Sequence, residues 1–519
     1  MDHLLDSLTA ELRCTIRDLR RGGGMMGPSI YDTAQVARLA PPPEGARPAL
    51  TWLVAQQQPD GGWGDPLHGH ARDVPTLAAL LALGTSPEAE HRAALRHGVA
   101  FLHAHARLWE GPQPEDMPTG VELLVPCLLD EARRMGIEVP HTSYATLIAM
   151  GRRRHAAIVA RPLRAGTPIC ASWEALGLPP TTAVLDATGG VGHSPAATAA
   201  WLHATEGRDD LAAERANARG FLEQASASTG TGVPGVYPNN WPIDRFEQAF
   251  GLYALLLADL LRAAPLADVV SAQLSDLRGA LGPSGLGFSD VFAPDGDDTA
   301  CALALLHAGG LAADASVLSR FASGDHYCAW PGELQSAVSV TAHAAHALAL
   351  LGTPDARAEA HVAAEQHPDG RWTGDKWNGS WLYTTAQALV ALPGPAHARV
   401  RSKAVSLFLS EQRRDGGWGT YASSAEETAY GVLALRTLPP EEQGAEAVQR
   451  ALAGAQRFLL DDYRPFTPST QRIWLAKELY RPLRIARLFE LAATYPAATV
   501  VQRAEPRRVG MLGAPVPAA

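Results

Sequence analysis

Along the chain, apolar residues recur at a helical period in segments such as TLAALLALG, ELLVPCLLDEARRMG, EQAFGLYALLLADLLRAA, CALALLHAGG, AHAAHALALLG and TAYGVLALRTL. Each is rich in Ala and Leu and closes near Gly or Pro, the residues that stop a helix. Alternating runs of Val, Ile and Thr are few, so the pattern predicts an all-α fold. The punctuation between helices recurs in one form. Gln57-Gln58-Pro59-Asp60-Gly61-Gly62-Trp63 follows the helix around TWLVAQ, Gln366-His367-Pro368-Asp369-Gly370-Arg371-Trp372 follows another, and Gln412-Arg413-Arg414-Asp415-Gly416-Gly417-Trp418 follows SLFLS. Copies of Gln-x-x-Asp-Gly-x-Trp after a helix form an internal repeat. Gln can bond open backbone at a helix end, Asp-Gly makes the turn, and Trp buries a large face on the neighbouring helix pair. These repeats read as structural staples rather than catalytic groups. Stapled helix pairs suit closed α-barrels, with inner and outer helices around an axial cavity. Repeats near residue 60 and beyond 365 predict two helical domains, with a boundary in Gly230–Asp244, which is rich in Gly, Pro and Asn.

Composition narrows the function. At 519 residues and 46% hydrophobic, the chain can build two to four domains around a sizeable core. Acidic residues number 54 against 44 basic, a net charge of −10, which leaves no basic footprint for DNA or RNA. Cys14, Cys127, Cys170, Cys301 and Cys328 are scattered and never form a CxxC pair, which predicts free thiols in a reducing compartment. The N-terminal MDHLLDSLTAELRCTIRDLRR carries charge throughout, unlike a signal peptide. The most apolar stretch, 250–270, is broken by Asp259, Arg262 and Asp268, so no segment reads as a membrane span. These features predict a cytoplasmic protein.

The sharpest chemical feature is Pro294-Asp295-Gly296-Asp297-Asp298-Thr299-Ala300, directly before the apolar helix CALALLHAGG. A helix cap accounts for one or two of the acids, but not three within four positions. A calcium loop fails, because Ala300 and Leu306 stand where the loop needs Gly and a bidentate Glu. Three crowded carboxylates cannot all ionise, so at least one keeps its proton near neutral pH, and an apolar cavity strengthens that tendency. The result is a general acid facing something apolar. A second acidic group, Glu115-Asp116-Met117-Pro118-Thr119-Gly120-Val121-Glu122, reads either as a Mg²⁺ site completed by phosphate oxygens and water or as an exposed acidic loop.

At these residues the chain resembles the class II terpene cyclases, the protonation-initiated prenyl diphosphate cyclases of labdane biosynthesis. Asp295-Gly296-Asp297-Asp298 fits their DxDD motif, Ser29-Ile30-Tyr31-Asp32-Thr33-Ala34 their SxYDTA signature, and Ser194-Pro195-Ala196-Ala197-Thr198-Ala199 their SPAATA segment. Val233-Pro234 through Tyr237-Pro238, with Asp244, Phe246 and Glu247, resembles VPxxYPxDxFE. Asp375-Lys376-Trp377 with Ser380 and Tyr383-Thr384-Thr385 resembles DKWxxSxxYxT. Glu426-Glu427-Thr428-Ala429-Tyr430 and Trp474-Leu475-Ala476-Lys477-Glu478-Leu479-Tyr480 match the C-terminal blocks.

The resemblance implies two α/α-barrel domains. Residues 1–26 would open the β domain, 27–243 would form an inserted γ domain, and 244–519 would complete the β domain and carry the acid. It implies Asp297 as proton donor, tuned by Asp295 and Asp298, and maps the family's Mg²⁺–diphosphate stretch onto Glu115, Asp116 and Glu122. Arg153, Arg154 and Lys376 are candidate diphosphate partners. An alkene is a poor base, so its protonation needs a dry acid and aromatic faces that stabilise cations; Trp330, Tyr327, Trp381 and Phe292 are the candidates. Where the family often has Asn-Ala-His facing the acid, this chain has Thr341-Ala342-His343, with Thr341 the candidate support for Asp297. His343 and His346 read as core histidines. Ala171 and Gly230 stand where similar plant enzymes have a His and an Asn, so the terminating base does not carry over. Asp209-Asp210 and Asp461-Asp462 are not DDxxD motifs, because Ala213 and Pro465 stand at the last position; this disfavours metal-triggered diphosphate ionisation.

The activity implied is cyclisation of geranylgeranyl diphosphate to a bicyclic diphosphate, with farnesyl diphosphate giving a drimane skeleton as the alternative. An inverting glycosidase needs its carboxyls roughly 6.5–9.5 Å apart, which adjacent acids suit poorly. A non-catalytic α-barrel binding protein is the remaining rival.

Overall fold

The computed structural model describes residues 2–504 except 115 and 334, with side chains described within 3–495. Helices dominate, and two kinds recur. Asp73–Gly84, Pro195–Ala204, Gly296–Ala308, Val338–Leu350, Trp381–Ala391 and Ala425–Arg436 are Ala- and Leu-rich around their circumference and buried on nearly every side. Ala89–His105, Ala398–Glu411 and Glu446–Asp462 bury a single stripe. An all-round apolar helix needs neighbours on every face, whereas a striped one covers a core from outside. The first kind therefore makes inner rings and the second makes outer shells.

Two rings close. In one, Asp244–Leu257 packs on Gly296–Ala308, followed in turn by Val338–Leu350, Trp381–Ala391, Ala425–Arg436 and Leu483–Ala504, which returns to Asp244–Leu257. In the other, Ile30–Leu39, Asp73–Gly84, Val121–Arg134, the 3₁₀ segment Pro168–Ala175 and Pro195–Ala204 close on themselves. The all-α expectation holds, and the double α-barrel with it. Leu8, Leu12 and Ile16 of the first helix, Asp2–Asp18, share a core with residues from 243 to 495. Residues between 30 and 241 form two separate apolar clusters. Antiparallel pairing of Pro28–Ser29 with Tyr237–Pro238 brings the two ends of that intervening stretch together.

The repeats are staples with one geometry. Gln57 Nε2 donates to the carbonyls of Gly61 and Ala94, Gln366 Nε2 to those of Gly370 and Val400, and Gln412 Nε2 to those of Gly416 and Ala451. Each indole N–H reaches back to the preceding helix: Trp63 to Leu53, Trp372 to Val362, and Trp418 to Phe408. Each Gln thus ties its own turn to the following outer helix. Among the described residues no helix is long and apolar enough to cross a membrane, and the five cysteines are free thiols.

Candidate active site

Short antiparallel pairing of Leu286–Gly287 with Pro294–Asp295 delivers the chain into the Gly296–Ala308 helix. Asp295 is its N-cap: Oδ1 accepts the N–H of Asp297 at 3.0 Å and of Asp298 at 2.8 Å. Gly296 donates its N–H to Ala329 O at 2.9 Å, and a Cβ there would meet Cys328 O at 2.3 Å, so only glycine fits. Cap and glycine leave Asp297 and Asp298 on the first turn. Asp295 and Asp298 are buried, whereas 15% of the Asp297 side chain is exposed. Burial pushes the Asp295 carboxyl up to about 7, against the pull of its N–H donors. Burial pushes Asp298 well above the usual carboxylate range, and the charges of Asp295 and Asp297 push the same way. Burial and its acidic neighbours thus both favour the protonated form of Asp298.

Asp297 Oδ1 lies 2.6 Å from His343 Nδ1, and the opposite ring nitrogen lies 3.1 Å from Gln387 Oε1. Both ring nitrogens of His343 are thus engaged, one by the acid and the other by the amide oxygen. Rings surround the pair. Tyr253 and Phe250 lie 5.0 and 5.5 Å from the His343 ring, and Tyr383 lies 6.5 Å away. Tyr383 meets Trp474 at 5.2 Å, and Trp474 meets Phe246, which stacks on Phe288 at 4.9 Å. Trp474 and Tyr430 both donate their polar hydrogens to Glu426 Oε1, which fixes these rings by their edges. Beyond them Phe292 lies 6.4 Å from Trp330, itself 5.7 Å from Trp377, and all three are half-buried.

The acidic loop lies at the junction of the two rings, where Thr119 N donates to Ala476 O at 2.8 Å. Burial pushes the Asp116 carboxyl up, but His68, 2.9 Å away, outweighs it and holds the group below its ordinary range. Glu122 accepts from Arg154 Nη1 at 2.8 Å. Glu115 lies outside the described residues. Arg153 is exposed one position before Arg154. Lys376 is buried on the other ring, donating to Glu333 Oε2 at 2.7 Å and to Gln335 O, with its ammonium 4.8 Å from the Trp377 ring.

Residues 332–456 match the squalene-hopene cyclase C-terminal domain. The (+)-kolavenyl diphosphate synthase of Herpetosiphon aurantiacus is 42% identical over 512 residues, covering 95% of this chain and 98% of that one. An ent-copalyl diphosphate synthase of Streptomyces sp. is 32% identical over 501 residues, covering 91% and 93%. The solved ent-copalyl diphosphate synthase of Streptomyces platensis superposes with a TM-score of 0.77 at 29% identity, covering 95% of this chain and 99% of that one. The chain belongs to the class II terpene cyclases. It is an enzyme of the cyclase type.

Within this cyclase, several sequence expectations change. The sequence points to Thr341 as support for the acid, but the Thr341 hydroxyl bonds the backbone N and O of Tyr327. Residues two apart on a helix do not share a face, so Thr341 cannot point where His343 does. His343 is therefore no mere core histidine, and Thr341 is not the acid's partner. Tyr327 donates its hydroxyl to Asp355, the N-cap of the outer helix Ala356–Ala364. Trp381 lies under the Arg371 guanidinium and 6.0 Å from Phe408 of the outer helix Ala398–Glu411. Neither belongs to the aromatic wall beside Asp297, whereas Phe292 and Trp330 meet edge to face. Sequence reasoning missed Gln387, Phe246, Phe250, Tyr253, Tyr383 and Trp474. Phe246, Tyr383 and Trp474 stand inside motif blocks already singled out, which was the available signal.

Proposed function

We propose that this class II terpene cyclase converts geranylgeranyl diphosphate to a bicyclic labdane-type diphosphate, with the diphosphate retained. The observation that carries this reading is Asp297, partly exposed, paired with His343 and flanked by aromatic rings. In the proposed reaction the Asp297 carboxyl proton adds to the terminal alkene, and its C–H bond forms from the alkene electron pair. The tertiary cation left behind is attacked by the internal double bonds in turn, closing two rings. Loss of a proton ends the sequence. Phe246, Phe250, Tyr253, Tyr383 and Trp474 would hold the moving positive charge against ring faces worth about 0.5–2 kcal/mol each. His343 would stabilise the carboxylate that remains on Asp297.

The diphosphate end belongs to the other ring. Asp116 and Glu122 contact His68 and Arg154 through one carboxylate oxygen each, and carboxylates are the hard donors that suit Mg²⁺. With Glu115 these residues would hold Mg²⁺, which neutralises diphosphate charge when bound. Arg154, Arg153 and Lys376 are the cations within this reading. The same reading assigns 1–26 and 244–519 to a β domain and 27–243 to an inserted γ domain.

The test is incubation of the enzyme and Asp297→Asn with Mg²⁺ and, separately, geranylgeranyl and farnesyl diphosphate. Products are dephosphorylated and read by gas chromatography–mass spectrometry. A bicyclic diterpene alcohol from geranylgeranyl diphosphate, missing with Asp297→Asn, is the expected result. A drimane alcohol from farnesyl diphosphate alone would replace the substrate, and linear alcohols from both would overturn the reading.

A further inference from the structure

Outside the cyclisation site, the turn between strands Ala322–Ser323 and His326–Tyr327 carries Asp325 and His326 and lies against His361 of the outer helix Ala356–Ala364. His326 Nδ1 is 3.1 Å from Asp325 Oδ1, and His361 Nδ1 is 3.5 Å from Asp325 Oδ2. The two imidazoles stack with centroids 5.1 Å apart and planes 27° from parallel. One ligand atom from each of the three residues lies within 4.8 Å of the other two. Around a tetrahedral zinc with bonds of about 2.0–2.1 Å, ligand atoms stand roughly 3.3 Å apart. The two Asp–His separations run to different oxygens of the Asp325 carboxylate and lie close to that spacing, so a small turn of the carboxylate would bring one oxygen and both rings onto a single ion. The side chains of His326 and His361 are 24% and 19% exposed, against 69% for Asp325. Both rings are thus held by the fold, while the carboxylate side opens to solvent and leaves room for water ligands.

We propose that Asp325, His326 and His361 form a site for Zn²⁺ or a similar late first-row divalent cation. Two imidazoles with one carboxylate select such ions over Mg²⁺, which prefers oxygen donors. The site is separate from the acidic loop and independent of the cyclase reading. Its position gives it a structural consequence. Strand His326–Tyr327 runs on into Cys328 and Ala329, and Ala329 O receives the Gly296 N–H. A cation here would tie the outer helix to the segment that backs the acid turn.

The test uses tag-free, chelator-treated full-length protein titrated with zinc sulfate in excess Mg²⁺. Calorimetry and thermal unfolding supply the readouts, and Co²⁺ serves as a spectroscopic stand-in. A single equivalent of zinc should bind and raise the unfolding midpoint, with tetrahedral Co²⁺ bands in the visible. His326→Ala and His361→Ala should each weaken binding more than about tenfold and leave cyclase turnover in Mg²⁺ unchanged. The competing soft site is Asp297, Cys301 and His343, whose ligand atoms also lie within 4.8 Å of one another. Zinc bound equally by wild type and His361→Ala, but lost in Cys301→Ser, would place it at the acid and overturn the proposal. Absence of zinc binding to the wild type would overturn it as well.

Discussion

The proposed reaction asks an alkene to accept a proton, which needs an acid whose conjugate base is well stabilised, and the contacts of Asp297 bear on that reading. His343 holds Oδ1 while Gln387 holds the far side of the imidazole, fixing which nitrogen faces the acid. Asp297→Asn removes the proton and should cost at least about 10²–10⁴-fold in kcat. Gln387→Leu leaves the acid but frees the ring; we expect lower kcat with little change in KM, and partial recovery in Gln387→Glu. Asp295 adds a pH signature. With its carboxyl near 7 in the folded protein and an ordinary value of 3.8, it gains negative charge beside Asp297 as pH rises through 7, so kcat should fall there. Asparagine still caps the helix, so Asp295→Asn should keep the fold and move that alkaline limb upward. A profile with the same limb in Asp295→Asn would assign it elsewhere. The linked stability effect has the same sign, because the folded state holds a proton that the unfolded chain releases, so stability falls between about pH 4 and 7. The acids were legible because three carboxylates within four positions exceed what capping requires. His343 was not, because a lone histidine on an apolar helix looks the same whether it fills a core or touches an acid 46 residues away.

At the level of elements, the repeats show why Gln, Gly and Trp recur together. Gly61, Gly370 and Gly416 have φ of 92°, 102° and 90°, and a Cβ at each would lie 2.6, 2.7 or 2.3 Å from a carbonyl of the next outer helix. Gln412→Ala would leave the Gly416 and Ala451 carbonyls without their donor, a loss of about 1–3 kcal/mol visible as a lower thermal midpoint. Turnover per folded molecule should not change, since Gln412 lies outside the aromatic wall. Gly416→Ala should be worse, because it adds both strain and a backbone clash. The turns were readable from one sequence because their chemistry is local. Their threonines were not: Trp63, Trp372 and Trp418 donate their backbone N–H to Thr76, Thr385 and Thr428. Those partners lie on the following inner helices, at separations of 13, 13 and 10 residues, so spacing alone does not reveal them.

Across the whole molecule, the two rings are joined by buried charge. Lys477, in the turn between Trp474–Leu475 and Leu479–Tyr480, is 3% exposed and reaches Ser194 Oγ at 2.8 Å, Glu174 Oε1 at 3.2 Å and Asp32 Oδ1 at 3.8 Å. Its neighbour Glu478 accepts from Ser29 Oγ and from the Tyr31 N–H. The SxYDTA, SPAATA and C-terminal blocks, which the sequence shows only as separate motif matches, are therefore three sides of one contact. Removing one member of a buried ion set leaves the others charged and unpaired, typically at a cost of about 3–5 kcal/mol. Lys477→Ala should thus act differently from a staple mutation. It strands Asp32 and Glu174 in one ring without touching the core of either, so the rings should lose their coupling before they lose their folds. Scanning calorimetry of Lys477→Ala should show two separated transitions where Gln412→Ala shows a single lowered one. Cyclisation should fall with the coupling, because the acid sits in one ring and the acidic loop is tied to the turn that carries Lys477. Adding Asp32→Asn and Glu174→Gln to Lys477→Ala should restore much of the stability, since the stranded charges are gone. If the triple variant is no more stable than Lys477→Ala, the junction depends on packing rather than on charge.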